Sequence, residues 1–176
     1  MISPFLRKLL LARQASFEAG EIKILEKHFY MQPIFDIVAF QHDGKKEFGK
    51  KMLKIMYENG ASTGRDTVEH FKRVLGVKKN QLLDLWIDWV NMYGIAQLEI
   101  VDINEKKLEA RVRSKKSSFA REYMNRYGIQ KEPVDYILSG AIAGFFSKYF
   151  GKDVKCKETN CIARGEKTCQ FVVIRK

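Results

Sequence analysis

A short stretch near the C-terminus concentrates the residue types that can bind a metal ion. It contains the three cysteines of the chain, Cys156, Cys161 and Cys169, together with Glu158. Thiolates and carboxylates are both zinc ligands, and residues two apart on a strand face the same side of it. A hairpin turning near Gly165 would return Cys169 to the side of Cys161. The spacing therefore predicts a metal-binding hairpin, although three small cysteines buried in an ordinary core would give the same pattern.

The hairpin does not by itself identify every ligand. Glu158, Cys161 and Cys169 offer three donors, and the fourth is either Cys156 or a carboxylate from another part of the chain. An iron–sulfur cluster is disfavoured, because such clusters usually take four cysteines and the chain has three. None of the three histidines stands in a recognisable ligand spacing.

The composition is typical of a single globular domain. The chain has 176 residues, of which 45% are hydrophobic. Its formal net charge of +11 is compatible with binding to nucleic acid, anionic lipid or an acidic partner, but says little about the fold. No apolar run reaches the roughly 18 residues needed to span a membrane, and the N-terminus lacks the features of a signal peptide. We therefore expect a cytoplasmic protein.

The N-terminal region is expected to contain a small hairpin. Apolar and polar residues alternate over residues 13–31, with a turn at Ala19-Gly20. That turn would pair Ala15 with Ile24 and Phe17 with Ile22.

Helices are expected before and after this hairpin in the sequence. A short amphipathic helix is predicted over residues 2–12, including Ile2. Residues 34–76 have apolar side chains at helical spacing, with a stop at Asn59-Gly60 and a new start near Thr63. The most apolar helix is predicted over residues 79–93, where it is buried on most sides.

A second hairpin is predicted over residues 95–113. A three-residue loop would pair Ile100 with Ala110 and Leu98 with Val112, which places these apolar side chains on one face.

Two further helices and two strands complete the chain. Pro133 is expected in the first turn of the longer helix, because proline is favoured there. Small residues at Gly140 and Gly144 suggest close packing of that helix against a sheet. The four elements are predicted over residues 118–127, 133–150, 153–159 and 168–174. The order of elements predicts an α+β domain with an antiparallel sheet and helices packed on one side.

Residues from about 111 to 174 resemble the 4-vinyl reductase domain family. The residues that carry the resemblance are Ser117-Ser118-Phe119-Ala120, Pro133-Val134-Asp135, Gly140-x3-Gly144, Glu158-x2-Cys161, Gly165 and Cys169-Gln170-Phe171. The family is similar to the aromatic-sensing domains of phenol-responsive transcription activators, and shares its fold with small subunits of the TRAPP trafficking complex. The resemblance implies one domain over residues 1–176, with strands and helices in 1–110 and the 4-vinyl-reductase-like core with its metal hairpin in 111–176.

The resemblance also implies a zinc site. Carried over from the family pattern, the ligands are Asp135, Glu158, Cys161 and Cys169, where Asp135 replaces a cysteine of the zinc-binding members. Cys156 is the alternative fourth ligand. Such a site looks structural or ligand-gating, because four protein ligands leave no coordination position for water.

The function implied by the resemblance is that of a homodimeric sensory domain that binds a small apolar or aromatic ligand. Aromatic residues that are candidates for lining the pocket are Trp86, Trp89, Tyr136, Phe145 and Phe146. We expect no enzymatic activity, since the sequence contains neither a nucleotide-binding fingerprint nor a catalytic constellation. The alternatives are a basic nucleic-acid-binding regulator, which is less favoured, and a zinc-stabilised dimerisation scaffold without a ligand.

Overall fold

A computed structural model describes residues 3–176 as six α-helices and seven strands. The helices are α1 Pro4–Leu11, α2 Ile34–Phe48, α3 Lys50–Leu75, α4 Lys79–Met92, α5 Ser118–Tyr127 and α6 Tyr136–Phe150. The strands are β1 Ala15–Glu18, β2 Glu21–Ile24, β3 Lys27–Phe29, β4 Ala96–Asn104, β5 Glu109–Ser117, β6 Val154–Asn160 and β7 Cys169–Arg175. The predicted α+β class is confirmed. The predicted start of the first helix at Ile2 lies outside the described residues.

The strands form two antiparallel sheets. The smaller sheet has the order β1-β2-β3, and its first hairpin has the predicted register, with Ala15 opposite Ile24 and Phe17 opposite Ile22. The larger sheet has the order β4-β5-β7-β6, so that the two C-terminal strands extend the central hairpin.

The predicted register of the central hairpin is wrong. Ile100 lies opposite Val112, and Leu98 lies opposite Ser114, two residues from the expected partners. The ladder shifts twice, between Gln97 and Leu98 and again beyond Ile100. Leu108 adopts a left-handed conformation with φ of 58° and lengthens the turn. Alternation of apolar residues cannot reveal such bulges, because each inserts one unpaired residue into a strand.

The predicted helix boundary at Asn59-Gly60 is also wrong. Helix α3 is continuous over 26 residues, and Gly60 lies in its middle. The break occurs earlier, at Gly49, whose positive φ of 57° separates α2 from α3. Propensity disfavours glycine inside a helix, but tertiary packing reverses that preference at Gly60.

That packing is a close contact between α3 and α6. A Cβ added at Gly60 would lie 2.0 Å from the carbonyl oxygen of Ile137, and one at Gly144 would lie 2.1 Å from that of Ala61. Gly64 and Gly140 meet the facing backbone in the same way. The predicted packing of the glycines of α6 against a sheet is therefore corrected to helix-on-helix packing. Because contacts advance in the same direction along both helices, the two helices run parallel.

Strand β6 pairs with β7 on one side only. On its other side, the amide of Val154 donates to Ser147 Oγ at 3.2 Å, and the amide of Cys156 donates to the hydroxyl of Tyr57 at 3.0 Å. These contacts dock the strand against α6 and α3. None of the helices within residues 3–176 has the length and apolar character needed to cross a membrane.

Candidate metal centre and adjoining cavity

Two separate segments bring four acidic or thiol side chains together. Asp135 immediately precedes α6, whereas Glu158, Cys161 and Cys169 lie along the β6–β7 hairpin. Ligand atoms of the three hairpin residues lie within 4.8 Å of one another. The Sγ of Cys169 is 3.6 Å from Oδ2 of Asp135. The four residues inferred from the family resemblance are therefore neighbours, and we call them the donor cluster.

The position of Asp135 differs from the predicted one. Helix α6 begins at Tyr136, so Pro133 precedes the helix and does not occupy its first turn. Asp135 is the N-cap residue, but its side chain makes no capping hydrogen bond. Its Oδ2 instead accepts from Ser117 Oγ at 3.0 Å, and its backbone amide donates to Glu158 Oε2 at 2.9 Å. The carboxylate is thus directed into the donor cluster and away from its own helix.

Each carboxylate of the donor cluster retains one oxygen without a partner. Oδ1 of Asp135 and Oε1 of Glu158 are buried and have no hydrogen-bond partner among the described residues. A buried polar atom without a partner is destabilising by about 1–3 kcal/mol. Two such atoms beside two thiols suit a cation, which would satisfy both oxygens at once.

The turn between Cys161 and Cys169 is fixed by its own hydrogen bonds. The carboxylate of Glu166 accepts from the amide of Cys161 and from Asn160 Nδ2. The amide of Ile162 donates to Cys169 Sγ at 3.3 Å. Such donors to sulfur stabilise a thiolate and orient it, as is usual around metal ligands.

The cluster is electrostatically unfavourable when all of its groups are ionised. Burial, and then the neighbouring Glu158, raise the pKa of Asp135 well above its usual range. Burial and the proximity of Cys161 raise the pKa of Glu158 to about 9. A hydrogen bond between the two thiols lowers the pKa of Cys161 to about 7 and raises that of Cys169. Full deprotonation therefore needs a bound cation, and the donor set of two thiolates and two carboxylates fits zinc.

Cys156, the alternative fourth ligand, lies on the same strand face as Glu158 but two residues before it. Burial raises the pKa of its thiol well above the ordinary value. Cys156 contributes to an adjoining cavity, and the group of donor atoms that converge within 4.8 Å contains neither Cys156 nor Asp135.

The cavity has a volume of about 640 Å³, within the range of about 300–1,000 Å³ that is usual for small-molecule sites. It lies between the N-terminal half of α3, the start of α6 and strand β6. Its lining is mainly apolar and contains Leu53, Tyr57, Pro133, Tyr136, Ser139 and Cys156, together with charged residues described below. Asp135 and Glu158 belong both to this lining and to the donor cluster.

Of the five aromatic residues considered for a pocket, the structure places Tyr136 in the lining of this cavity. The other four are core residues with almost no exposed surface. Trp86 stacks on Phe145 with ring centroids 4.3 Å apart, and Phe145 also packs edge-on against Phe146. Trp89 meets Phe71 edge-on at 5.3 Å.

Sequence reasoning missed the contribution of α3 to the cavity. Lys50, Leu53, Lys54 and Tyr57 follow one another at the spacing of one helix face. The pattern was detectable, but nothing in the sequence showed which element that face would meet. The role of Ser117 in holding Asp135 was missed for the same reason.

Comparison with known proteins adds to this geometry. Residues 112–175 match the 4-vinyl reductase domain. The family resemblance expected from the sequence is thereby confirmed, and the matched segment contains Asp135 and the whole β6–β7 hairpin. The phenol regulator MopR of Acinetobacter guillouiae is 25% identical over an alignment of 88 residues, which covers 46% of this chain. Those residues are 16% of the regulator, so this chain spans a small part of its length.

Solved structures extend the likeness from the matched segment to the whole fold. The phenol-responsive sensory domain of the transcription activator PoxR, crystallised with phenol, superimposes with a TM-score of 0.82 at 19% identity. The alignment covers 99% of this chain and 92% of that domain. A trafficking protein particle complex subunit 3 from Naegleria fowleri, covalently bound to palmitic acid, gives a TM-score of 0.53 at 13% identity, covering 81% and 95%. The N-terminal region, which the family match leaves out, therefore has the same fold as in the sensory domain.

Proposed function

We propose that this chain is a sensory domain that binds a small organic ligand in the cavity beside a structural zinc ion. The proposal rests on one observation: Asp135 and Glu158 line the cavity and also belong to the donor cluster. A ligand in the cavity would contact residues that the metal holds in place. Ligand binding and metal coordination would then affect each other.

The fold and the relatives support a binding function in preference to an enzymatic one. The structure that aligns with 99% of this chain is named a sensory domain, and the curated relative is named a regulator. In the proposed site, the side chains of Asp135, Glu158, Cys161 and Cys169 would hold the zinc ion. The metal would supply a rigid link between the start of α6 and the hairpin, since four protein ligands exclude a reactive water.

The proposal assigns the fourth ligand to Asp135. Its Oδ2 lies 3.6 Å from Cys169 Sγ and accepts a hydrogen bond from Ser117, and its buried Oδ1 has no partner within residues 3–176. Cys156 has none of these contacts among the described residues and is held by β-pairing opposite Val173.

Metal analysis of the purified protein tests the zinc site. We expect one zinc per chain, loss of zinc in Cys161→Ser, and a strong reduction in Asp135→Asn. Cys156→Ser is the matched control, because it removes an equally buried thiol outside the proposed ligand set, and it should retain zinc. Zinc that survives Cys161→Ser would contradict the site. If Asp135→Asn retains zinc and Cys156→Ser loses it, the fourth ligand is Cys156 and not Asp135.

The homodimeric state is part of the proposal. Large apolar side chains of α2 and α3 are exposed, with exposed fractions of 61% for Phe40, 62% for Phe48 and 52% for Ile55. Exposed apolar side chains that form a contiguous patch are typical of protein interfaces, and these three side chains are candidates for such a patch. Native mass spectrometry would report the dimer mass, the bound zinc and any retained ligand together. A monomer at micromolar concentration would contradict the dimer without affecting the zinc site.

A further inference from the structure

The cavity has a charged side that the proposed function does not use. Its lining includes five lysines, which we call the lysine rim: Lys50, Lys54, Lys155, Lys157 and Lys176. Within residues 3–176, none of these ammonium groups forms an ion pair with a carboxylate. Among the described residues, the positive charges of the rim are therefore not in direct contact with a carboxylate.

Three carboxylates also line the cavity, but other groups occupy them. Glu132 lies 3.9 Å from the ammonium of Lys45, which is not part of the lining. Asp135 and Glu158 are directed into the donor cluster, where a metal ion would take their charge. A site with two thiolates, two carboxylates and Zn²⁺ has a net charge of −2, and the five lysines exceed it. The cavity as a whole is therefore positive.

Helix orientation adds to this potential. Helices α3 and α6 run parallel, and residues of both N-terminal turns, Lys50 and Tyr136, line the same cavity. Neither N-cap residue, Gly49 or Asp135, satisfies its helix with a side-chain hydrogen bond, and neither first turn contains an acidic residue. Helix N-termini carry partial positive charge and favour anions.

Charged and apolar residues of the lining differ in burial. On α3, Leu53 is buried and Tyr57, which bonds to strand β6, is half-buried, whereas Lys50 and Lys54 are exposed. Tyr136 is also half-buried, and the lysines of β6 and of the C-terminus are exposed. A ligand that matches this arrangement has an apolar body and an anionic group at one end.

We infer that the ligand of this cavity is an organic anion, with an aromatic or aliphatic body against the tyrosines and a carboxylate or phosphate at the lysine rim. The inference rests on the proposed function, because it names the chemical class of the ligand for the same cavity. A neutral phenol would not use this feature of the cavity, because a neutral ligand forms no ion pair with the lysine rim.

A matched pair of probes tests the inference on the zinc-loaded full chain. 4-Ethylbenzoate and 4-ethylphenol share ring and alkyl group, but only the benzoate is charged at neutral pH. We expect calorimetry to show tighter binding of the benzoate, and its affinity should fall as salt is raised, since exposed charges are screened. Lys54→Gln should weaken it by about threefold and Lys50→Gln/Lys54→Gln by about tenfold, as for partly exposed ion pairs.

The control variant is Lys51→Gln. Lys51 adjoins Lys50 on the same helix and is exposed, but it does not line the cavity, so its removal should leave the affinity for the benzoate unchanged. Preferential binding of 4-ethylphenol would overturn the anionic class while leaving the proposed function intact. Binding of the benzoate that is unaffected by the double variant would overturn the lysine rim as its site. Binding of neither probe, by zinc-loaded protein, would contradict both proposals.

Discussion

Replacement of Gly144 by alanine tests whether backbone contact between α3 and α6 holds the domain together. The new Cβ would lie 2.1 Å from the carbonyl oxygen of Ala61 and 2.9 Å from its carbonyl carbon. Even weak C–H···O contacts need about 3.3 Å between carbon and oxygen. The two helices would therefore have to separate by roughly 1 Å, and backbone atoms cannot rotate away as a side chain can.

The magnitude follows from two opposing effects. Overpacking typically costs about 1–3 kcal/mol, and a backbone obstacle places this site at or above the upper end of that range. Alanine is favoured over glycine inside a helix by about 1 kcal/mol. We therefore expect Gly144→Ala to lower the free energy of unfolding by about 2 kcal/mol or more. For a chain of this length, the midpoint of thermal unfolding would fall by about 4–8 °C or more.

Gly44→Ala is the matched control in a thermal unfolding assay followed by circular dichroism. Its Cβ would meet the Met52 side chain, with Cγ, Sδ and Cε each at 2.9 Å, and a side chain can change rotamer where a backbone carbonyl cannot. The gain in helix propensity should offset part of the cost, so the loss of stability should be smaller than in Gly144→Ala. If Gly144→Ala is no less stable than Gly44→Ala, the backbone contact does not have the importance assigned to it.

Two further substitutions test the contacts around the site and the response to pH. Ser117→Ala removes the N-cap of α5 and the hydrogen bond to Asp135, so chemical denaturation should show a loss of about 2 kcal/mol. Replacement of the adjacent, exposed Ser118 should have almost no effect, and equal losses would refute the argument. Burial lowers the pKa of His42 below its ordinary value of 6.5, so its contribution to stability is complete above pH 6.5 and is lost as pH falls. The thermal midpoint of His42→Gln should therefore decline less steeply below pH 6.5 than that of the wild type, and an unchanged slope would contradict this role of His42.

Short-range patterns were sufficient to predict much of the fold. Alternation and an Ala-Gly turn predicted the register of the first hairpin, because that turn contains no bulge. The central hairpin was misjudged, since its two bulges depend on packing that the local pattern does not encode. The stop at Asn59-Gly60 was wrong for a related reason. Gly60 is in the helix because the backbone of α6, a distant part of the sequence, lies against it.

The donor cluster was more accessible to sequence reasoning than the cavity. Three of its members lie within one hairpin, where the pairing of β6 with β7 brings the segments that carry them together. Asp135 needed the family pattern, since no local rule relates it to Glu158. Its role as a zinc ligand stays a prediction, as does zinc itself. The cavity depends on how α3 meets β6, and this long-range arrangement explains why its lysines and Tyr57 were not foreseen.

The hydroxyl groups that meet strand β6 have a consequence for how copies of this chain can associate. A strand at the end of a sheet normally offers free amides on which another molecule can add a strand, the first step of many aggregation processes. In β6, the amides of Val154 and Cys156 are already bonded to Ser147 and Tyr57. Addition of a foreign strand there would first have to detach β6 from two helices. The first half of this edge strand is therefore protected against the addition of a further strand.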